Sequence, residues 1–514
     1  MNVLFITADQ WRGECLSCLD HKVVRTPNLD RLAKQGVVFK KHYAQATPCA
    51  PSRTSLHTGA YMFNHRCVAN GTPVSSSFTN WAKEVRNAGY DPSLFGYTDT
   101  ALDPAGIDPG DQRLKHYSEP LPGIGHYTPV KNDVNVHWVQ YLQQQGYEIP
   151  ERWWHLYGNT VAGTPWREGG AAPLPLAIEA QHHETSFMVE QCIDWINAQS
   201  DPWVTHLSLL RPHPPFVAPA PYNAMYCPDE IFTPVRSDSK KHQGAQHPFL
   251  ALMLSKPQFS DHSDPAELLE ACSSYYGLMT EVDDCLGRLF DYLESTSQWS
   301  NTLIIFTSDH GEQMGDHWMF SKLGFYDESY YVPLIIRDPR AEADSQRGSK
   351  IDVFTENVDI MPTMLDWLNL DIPAQCDGAS LIPFLRGQQP PCHWRTEAHW
   401  EYDFRDTVNQ ESESVLGITS HQCNLAVIRG VRYKYVHFTA LPPLLFDLAE
   451  DPGELTNVAA DPEYRQIIVE MLQKMMSWRM NHTARGLTET FLTDKGPVNR
   501  SSPLRSNKQL PVSA

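Results

Sequence analysis

The sequence predicts an α/β fold, and three observations carry that expectation. Two apolar runs of strand length, Asn2 to Thr7 and Thr302 to Thr307, each lead into an aspartate, Asp9 and Asp309. The stretch from Asn2 to Gly59 alternates strand, helix, strand, helix. Beyond Gly387 the pattern changes to short β-type runs followed by a helix, which predicts a smaller α+β domain.

Taken in order, Asn2 to Thr7 is apolar without alternation, as in a strand covered on both faces, and Asp9 falls where parallel sheets form ligand sites. Thr26 to Gly36 carries a capping residue, a first-turn proline, apolar residues at helical spacing and a terminal glycine. Val37 to Phe39 starts a second strand. Ser75 to Ala88 reads as a helix, Pro92 to Tyr97 as a strand, and 103–175 as long loops over a site, because no period is visible there. Glu184 to Asn197 is an amphipathic helix, and Trp203 to Leu210 a buried strand that runs into Arg211-Pro212-His213-Pro214-Pro215-Phe216. Pro265 to Ser295 is the longest helical pattern, with Glu281, Asp283 and Asp284 expected on a solvated face. Tyr331 to Ile336 reads as a strand, and Val358 to Leu368 as a helix interrupted near Pro362. Ala426 to Arg429 and Tyr433 to Phe438 read as strands, and Pro462 to Met480 as a helix. These elements divide the chain into 1–386, 387–488 and a polar arm or tail over 489–514.

Composition narrows the partners. The 514 residues include 41 basic and 61 acidic side chains, a net charge of −20 that disfavours nucleic acid and anionic membranes. The first ten residues have neither a basic region nor a long apolar run, so a cytoplasmic protein with mostly reduced cysteines is expected. Cys15-Leu16-Ser17-Cys18 has no partner pair at zinc-site spacing and is expected in a loop.

The stretch from Gln45 to Gly59 concentrates chemistry. A short helix opening near Pro51 and closing at Gly59 places Cys49 at its N-terminus, where free N–H groups favour an anion, with Arg53 one turn on along the same face. Asp9 and Asp309-His310 lie beyond strand ends, His213 in a proline-fixed loop and Lys322 after Asp316-His317. Two carboxylates and an imidazole can hold one divalent metal, with a fourth position for a nucleophile or substrate oxygen. Singly, Asp9 also suits a helix cap, His310 a buried structural histidine and Lys322 a solvated charge.

Cys49-Ala50-Pro51-Ser52-Arg53 matches the Cys-x-Pro-Ser-Arg signature, and Thr58-Gly59, Asp309-His310-Gly311, Phe446-Asp447-Leu448 and Asp451-Pro452-Gly453-Glu454 follow in order. In these motifs the chain resembles the type I sulfatases of the alkaline phosphatase superfamily. Asn64-His65-Arg66, the Arg211 to Phe216 loop, Thr280 to Arg288, Tyr402 to Asp406 and Arg432 to Phe438 resemble the phosphonate monoester hydrolases of that family more closely.

The resemblance implies a large mixed sheet sandwiched by helices. It also implies conversion of Cys49 to formylglycine by a formylglycine-generating enzyme, with the aldehyde hydrate as nucleophile. Asp9, Asp309, His310 and residue 49 are the implied metal ligands, Arg53 the implied clamp on the substrate oxygens, and Lys322 and His213 the implied groups near the leaving oxygen. Gln10, Asn70, Tyr97 and Asp99 are candidate substrate contacts or positioning residues.

The chain departs from arylsulfatases at Asp9-Gln10, Asp309-His310 and Gly96-Tyr97-Thr98-Asp99, with fewer carboxylates and fewer cations. That favours manganese, with zinc or calcium as alternatives, and a singly charged ester. Phosphonate hydrolases usually have Gly-Pro-Ala after the cysteine and a threonine near Asp99, so Ala50-Pro51-Ser52 leans toward sulfatases. The expected activity is hydrolysis of phosphonate and sulfate monoesters, extending to phosphodiesters. The alternatives are a dedicated arylsulfatase, a phosphodiesterase working without formylglycine, and a catalytically silent anion-binding protein. A homo-oligomer, dimer or tetramer, is expected from the family and the polar C-terminal arm.

Overall fold

A computed structural model describes residues 1–129, 136–151, 153–160, 174–231, 233–259, 265–389, 394–484, 488 and 490–499. In chain order it contains β1 (Asn2–Ala8), α1 (Pro27–Gln35), β2 (Val37–Tyr43), β3 (Ala46–Thr47), α2 (Cys49–Thr58), β4 (Ser93–Gly96), β5 (His126–Pro129), α3 (Glu184–Asn197), β6 (Val204–Leu209), α4 (Pro265–Ser295), β7 (Thr302–Thr307), β8 (Leu334–Arg337), β9 (Ser349–Glu356) and α5 (Ile360–Trp367). There follow β10 (Ala398–Asp403), β11 (Asn424–Arg429), β12 (Tyr433–Phe438), β13 (Leu444–Asp447), α6 (Arg465–His482), β14 (Thr490–Thr493) and β15 (Gly496–Asn499). Among the described residues no helix is long and apolar enough to cross a membrane.

The large sheet has the order β5-β4-β6-β1-β7-β8-β2-β9. It is mixed, as expected: β8 runs antiparallel to both β7 and β2, while β1 is parallel to β6 and β7. Alternation along β1 sends Leu4, Ile6 and Ala8 into a core shared with α1, α3 and α4, and Val3 and Phe5 into one shared with α2 and α5. Helices on both faces are why the strand reads as a continuous apolar run. Thr7 pairs with Thr307, so Asp9 and Asp309, each two residues farther on, emerge side by side beyond the carboxyl ends of these two central strands.

A second sheet, β13-β12-β11-β10-β3, is antiparallel except for the β3–β10 pairing. The two residues of β3 lie just upstream of Cys49, so the cysteine segment is stitched to this sheet before it enters α2.

Several expectations need correction. The segment 75–88 is helical only over Trp81–Asn87, because the Asn80 side chain accepts from Lys83 N at 3.0 Å and starts the helix there. The 103–175 stretch is not simply loop: β5 is an edge strand, and the helix Val136–Gln144 buries Trp138 and Leu142. Residues 130–135, 152 and 161–173 of that stretch lie outside the described residues. Glu281 and Asp283 are buried, not solvated, since α1 and α3 cover α4; Asp283 accepts from the N–H groups of Asn28 and Leu29 at 2.9 and 2.7 Å.

Pro362 does not interrupt its helix, because α5 begins at Ile360 and a first-turn proline loses no intrahelical bond. The strand expected from Tyr331 starts at Leu334, after Pro333. Cys15 is core and Ser17–Leu19 form a 3₁₀ turn in place of a loop. Cys15, Cys18, Cys67, Cys192, Cys227, Cys272, Cys285 and Cys423 are free thiols. The expected tail contains the hairpin β14–β15; its residues 500–514 lie outside the described residues.

Candidate active site

The site is assembled at the strand ends where Asp9 and Asp309 emerge, opposite the N-terminus of α2. That helix begins at Cys49, two residues earlier than expected, and closes at Gly59, whose φ of 68° is one that glycine adopts without strain. The exposed side chain of Asn70 accepts from Ala50 N at 2.9 Å and so caps the turn that carries the cysteine. Ser52 Oγ donates to the backbone oxygen of Asp309, tying helix to strand end.

Cys49, Asp9, Asp309 and His310 are all buried, and one ligand atom from each can be chosen so that all four lie within 4.8 Å of one another. His310 Nδ1 lies 3.1 Å from Gly311 O, which assigns the proton to Nδ1 and leaves the Nε2 lone pair facing inward. Nε2 is 3.3 Å from Cys49 Sγ, 3.7 Å from Asp9 Oδ1 and 3.6 Å from Asp309 Oδ2. Burial, helped by Lys322, lowers the His310 pKa against the pull of Asp309 and Asp9, so the ring is a neutral donor. Asp9 Oδ1 is buried with no hydrogen-bond partner, although Oδ2 of the same carboxylate is bonded. An orphaned carboxylate oxygen beside an imidazole lone pair is the donor set that a divalent cation satisfies. The residues therefore fit a metal.

Arg53 is completely buried. Its Nε donates to Asp309 Oδ2 at 2.9 Å, Nη2 to Asp9 Oδ2 at 3.0 Å, and Nη1 to Tyr97 O at 3.0 Å and Ser208 Oγ at 2.8 Å. All three nitrogens are thus engaged with the protein, and the guanidinium spaces the two carboxylates. Tyr97 stacks its ring 4.2 Å from the guanidinium carbon and donates its hydroxyl to Asp9 Oδ2. Gly96 before it has no side-chain room, since a Cβ there would lie 1.8 Å from Ser208 O. Asp99 Oδ2 is 3.7 Å from Arg53 Nε.

Lys322 is buried, and its Nζ donates to Gln10 Oε1 at 2.7 Å and lies 3.1 Å from Cys49 Sγ. Burial alone would lower its pKa, but Cys49, Asp9 and Asp309 outweigh that and raise it. Gln10 donates in turn to Glu312, whose Oε1 accepts from Met314 N at 3.0 Å and Ser321 N at 2.5 Å. His213, half-buried, is close enough to pull the Asp9 carboxyl down; against its burial, His213, Lys322, His310 and Arg53 together hold it well below the usual range.

The residues expected at the site from the sequence gather here, but several meet the protein's own groups: Asn70 a helix amide, Gln10 Lys322 and Glu312, Tyr97 the Asp9 carboxylate, and Arg53, expected to clamp substrate oxygens, the two aspartates, Tyr97 O and Ser208. Glu312, Ser208 and Asn357 were not expected. Asn357 Nδ2 donates to Ser308 O at 3.0 Å and its Oδ1 meets His42 Nε2 at 2.9 Å, bracing the β7 end. The spacing within Asp309-His310-Gly311-Glu312 held a signal for Glu312; nothing local marks the other two.

Residues 1–370 match the sulfatase family model, and 315–481 match the model described as N-sulphoglucosamine sulphohydrolase, C-terminal. The chain is 38% identical to the multifunctional alkaline phosphatase superfamily protein PehA of Trinickia caryophylli, covering 97% of this chain and 99% of that protein. It is 27% identical to an arylsulfatase of Clostridium perfringens, covering 98% and 99%. The solved phosphonate monoester hydrolase of Agrobacterium radiobacter superimposes with a TM-score of 0.92 at 43% identity, covering 98% of this chain and 100% of that one. That of Silicibacter pomeroyi gives 0.90 at 35%, covering 97% and 99%.

Proposed function

The chain belongs to the sulfatase family, within the alkaline phosphatase superfamily, and on that footing we propose that it hydrolyses phosphonate monoesters and sulfate monoesters with a formylglycine made from Cys49. The observation that carries the reading is the position of Cys49, on a helix N-terminus with His310 Nε2 at 3.3 Å and Lys322 Nζ at 3.1 Å. A structural cysteine has no use for both. Asp9, Asp309, His310 and the side chain of residue 49 would hold one divalent metal, for which the mixed oxygen and nitrogen set suits manganese better than calcium. When bound, the metal supplies positive charge that acidifies a neighbouring hydroxyl and neutralises the oxygens of the ester.

The chain's own residues do the rest. Arg53 and Tyr97 hold Asp9 Oδ2, which leaves Oδ1 directed into the box. Asn70 fixes the first turn of α2 and with it the direction of residue 49. Lys322, kept in place by Gln10 and Glu312, presents an ammonium to the same atom and to any oxygen that replaces it. His213, near enough to Asp9 to act on its carboxyl, is the proton donor for the departing alkoxide or phenoxide.

Asp9, Asp309 and Asp99 carry one charge more than Arg53 and Lys322 offset, and a divalent ion turns this into a single net positive charge. A singly charged ester matches that balance better than a doubly charged phosphate. The test is catalytic efficiency on phenyl sulfate beside phenyl phenylphosphonate. Turnover of both by metal-loaded, aldehyde-bearing protein is expected, and turnover of neither would overturn the reading.

The same proposal keeps 1–386 as the catalytic unit and 387–488 as the smaller one, in line with the two sheets. It names a formylglycine-generating enzyme as the partner that modifies Cys49. The exposed stripe Val469, Leu472, Met476 and Met480 on α6 favours a homo-oligomer.

A further inference from the structure

A buried chain of four charged side chains lies outside the metal box. On α4, Glu281 Oε1 meets His183 Nδ1 at 2.5 Å. His183 Nε2 is paired with Oε2 of Glu184, the first residue of α3, and Glu184 Oε1 is 2.5 Å from Arg211 Nε. Arg211 Nη1 donates to His213 O at 2.8 Å and to Pro215 O at 3.1 Å. All four side chains are 0–1% exposed. Two acids and two bases balance in charge, so the group is stable only as a complete set; removing one member leaves an uncompensated buried charge. Its output is a hold on two backbone carbonyls of one loop, that of Pro215 and that of His213 itself, the residue read above as the proton donor. Four ion-paired groups are a costly way to hold a loop, when apolar packing does the same without desolvating charge.

We propose that Glu281, His183, Glu184 and Arg211 form a positioning relay that anchors the His213 loop to α3 and α4 and holds the His213 ring at the leaving oxygen. None of the four touches the reacting atoms, so they are positioning residues. The proposal rests on the reading of His213 as proton donor, and the two are separable by how rate depends on the leaving group. An ester with an activated leaving group such as 4-nitrophenolate departs without a proton, whereas phenol needs one.

The experiment compares wild type, His213→Ala, Glu281→Gln, Arg211→Lys and the double variant Glu281→Gln/His213→Ala on a series of aryl phosphonate monoesters of rising leaving-group pKa. All are metal-loaded, with far- and near-ultraviolet circular dichroism as the folding check. Arg211→Lys keeps an ion pair with Glu184 but loses the separate Nη1 group that donates to both carbonyls while Nε faces the acid. For Glu281→Gln and Arg211→Lys, kcat on the phenyl ester is expected to fall about tenfold, with 4-nitrophenyl turnover and KM within about twofold. In the His213→Ala background Glu281→Gln should cost nothing further, because the relay then holds no donor.

If His213→Ala itself shows no steeper dependence on leaving group, the donor reading fails. If it does, but Glu281→Gln and Arg211→Lys fold and slow all esters equally, or add fully to His213→Ala, the relay is structural and the proposal is overturned. Should Glu281→Gln fail the folding check, Arg211→Lys decides alone.

Discussion

Lys322 and Cys49 meet with Nζ 3.1 Å from Sγ across a sequence separation of 273 residues, and the ammonium is aimed there by Gln10 Oε1 at 2.7 Å. A buried lysine keeps its charge only where anions or strong acceptors repay its lost hydration. Here Asp9 and Asp309 do so through space and Gln10 through a hydrogen bond. Lys322→Ala is expected to cut kcat/KM by about 100- to 1,000-fold, the loss typical of one preorganised donor. Gln10→Ala, which leaves the ammonium charged but unaimed, should cost about tenfold and act on kcat more than KM. Steady-state kinetics on one sulfate and one phosphonate ester check both, and an inert Gln10→Ala would show that the lysine needs no aiming.

Cys49 should be found as an aldehyde in protein produced with a formylglycine-generating enzyme, detected by hydrazide capture and by mass spectrometry of the peptide that contains it. Activity is expected to track the aldehyde fraction linearly. Full activity with an intact thiol would falsify the formylglycine reading and favour a phosphodiesterase that works without it.

Metal removal has two expected consequences. Chelation should abolish turnover, and a divalent ion, manganese foremost, should restore it. It should also lower thermal stability, since a ligand present at a hundred times its dissociation constant stabilises the native state by about 2.7 kcal/mol. His310→Ala removes the inward-facing lone pair and should abolish the metal-dependent rise in melting temperature together with activity. Loss of activity with that rise intact would place the metal elsewhere.

The rhythm of strands and the acids that end two of them were legible because each is local. A buried run followed by Asp is visible in six or seven residues, and Thr7 opposite Thr307 then brings the two acids together without further instruction. The relay was not legible. Glu281 looks like one acid in an acidic helix patch, and only the coverage of α4 by α3 turns it inward onto His183. Asn70 reads as a substrate contact because nothing in sequence shows the Ala50 amide it caps from twenty residues away. Pro362 misled because its penalty depends on its distance from a helix start that the chain alone places imprecisely.

Four buried histidines should make acid destabilising. Burial lowers the pKa of His42, His57 and His65 to about 3 and holds that of His206 well below its ordinary value, so all four stay neutral in the native state. In the unfolded chain they titrate near their ordinary value, and between that value and about 3 the unfolded state binds more protons. Their share of the stability is therefore fully present above about pH 6.5 and is lost as pH falls, each histidine contributing a slope of up to about 1.4 kcal/mol per pH unit. These histidines pull against Asp283, Glu328 and Glu454, whose raised pKa values of about 7, 8 and 7 favour the native state in mild acid, so the histidine share is read as a difference: in urea unfolding between pH 7 and pH 4.5, His206→Asn should lose less stability on acidification than the wild type if the variant folds. An equal loss in both proteins would mean that His206 is charged or solvated in solution.

Asp99 offers the sharpest test of what sets substrate charge. Its carboxylate lies 3.7 Å from Arg53 Nε. A negative charge so placed repels an anionic substrate, and repels a doubly charged one about twice as strongly. Asp99→Asn keeps the shape and removes the charge. KM for a sulfate monoester is expected to fall about threefold, and for a phosphate monoester, a dianion, about tenfold, with kcat for the sulfate little changed. Raising the salt concentration should leave the ratio of the two effects intact, because Asp99 is 3% exposed and screened weakly. Equal shifts for both substrates would mean that the side chain acts through packing against Arg53, and the charge balance of the metal box would then be set by Asp9, Asp309, Arg53, Lys322 and the metal without it.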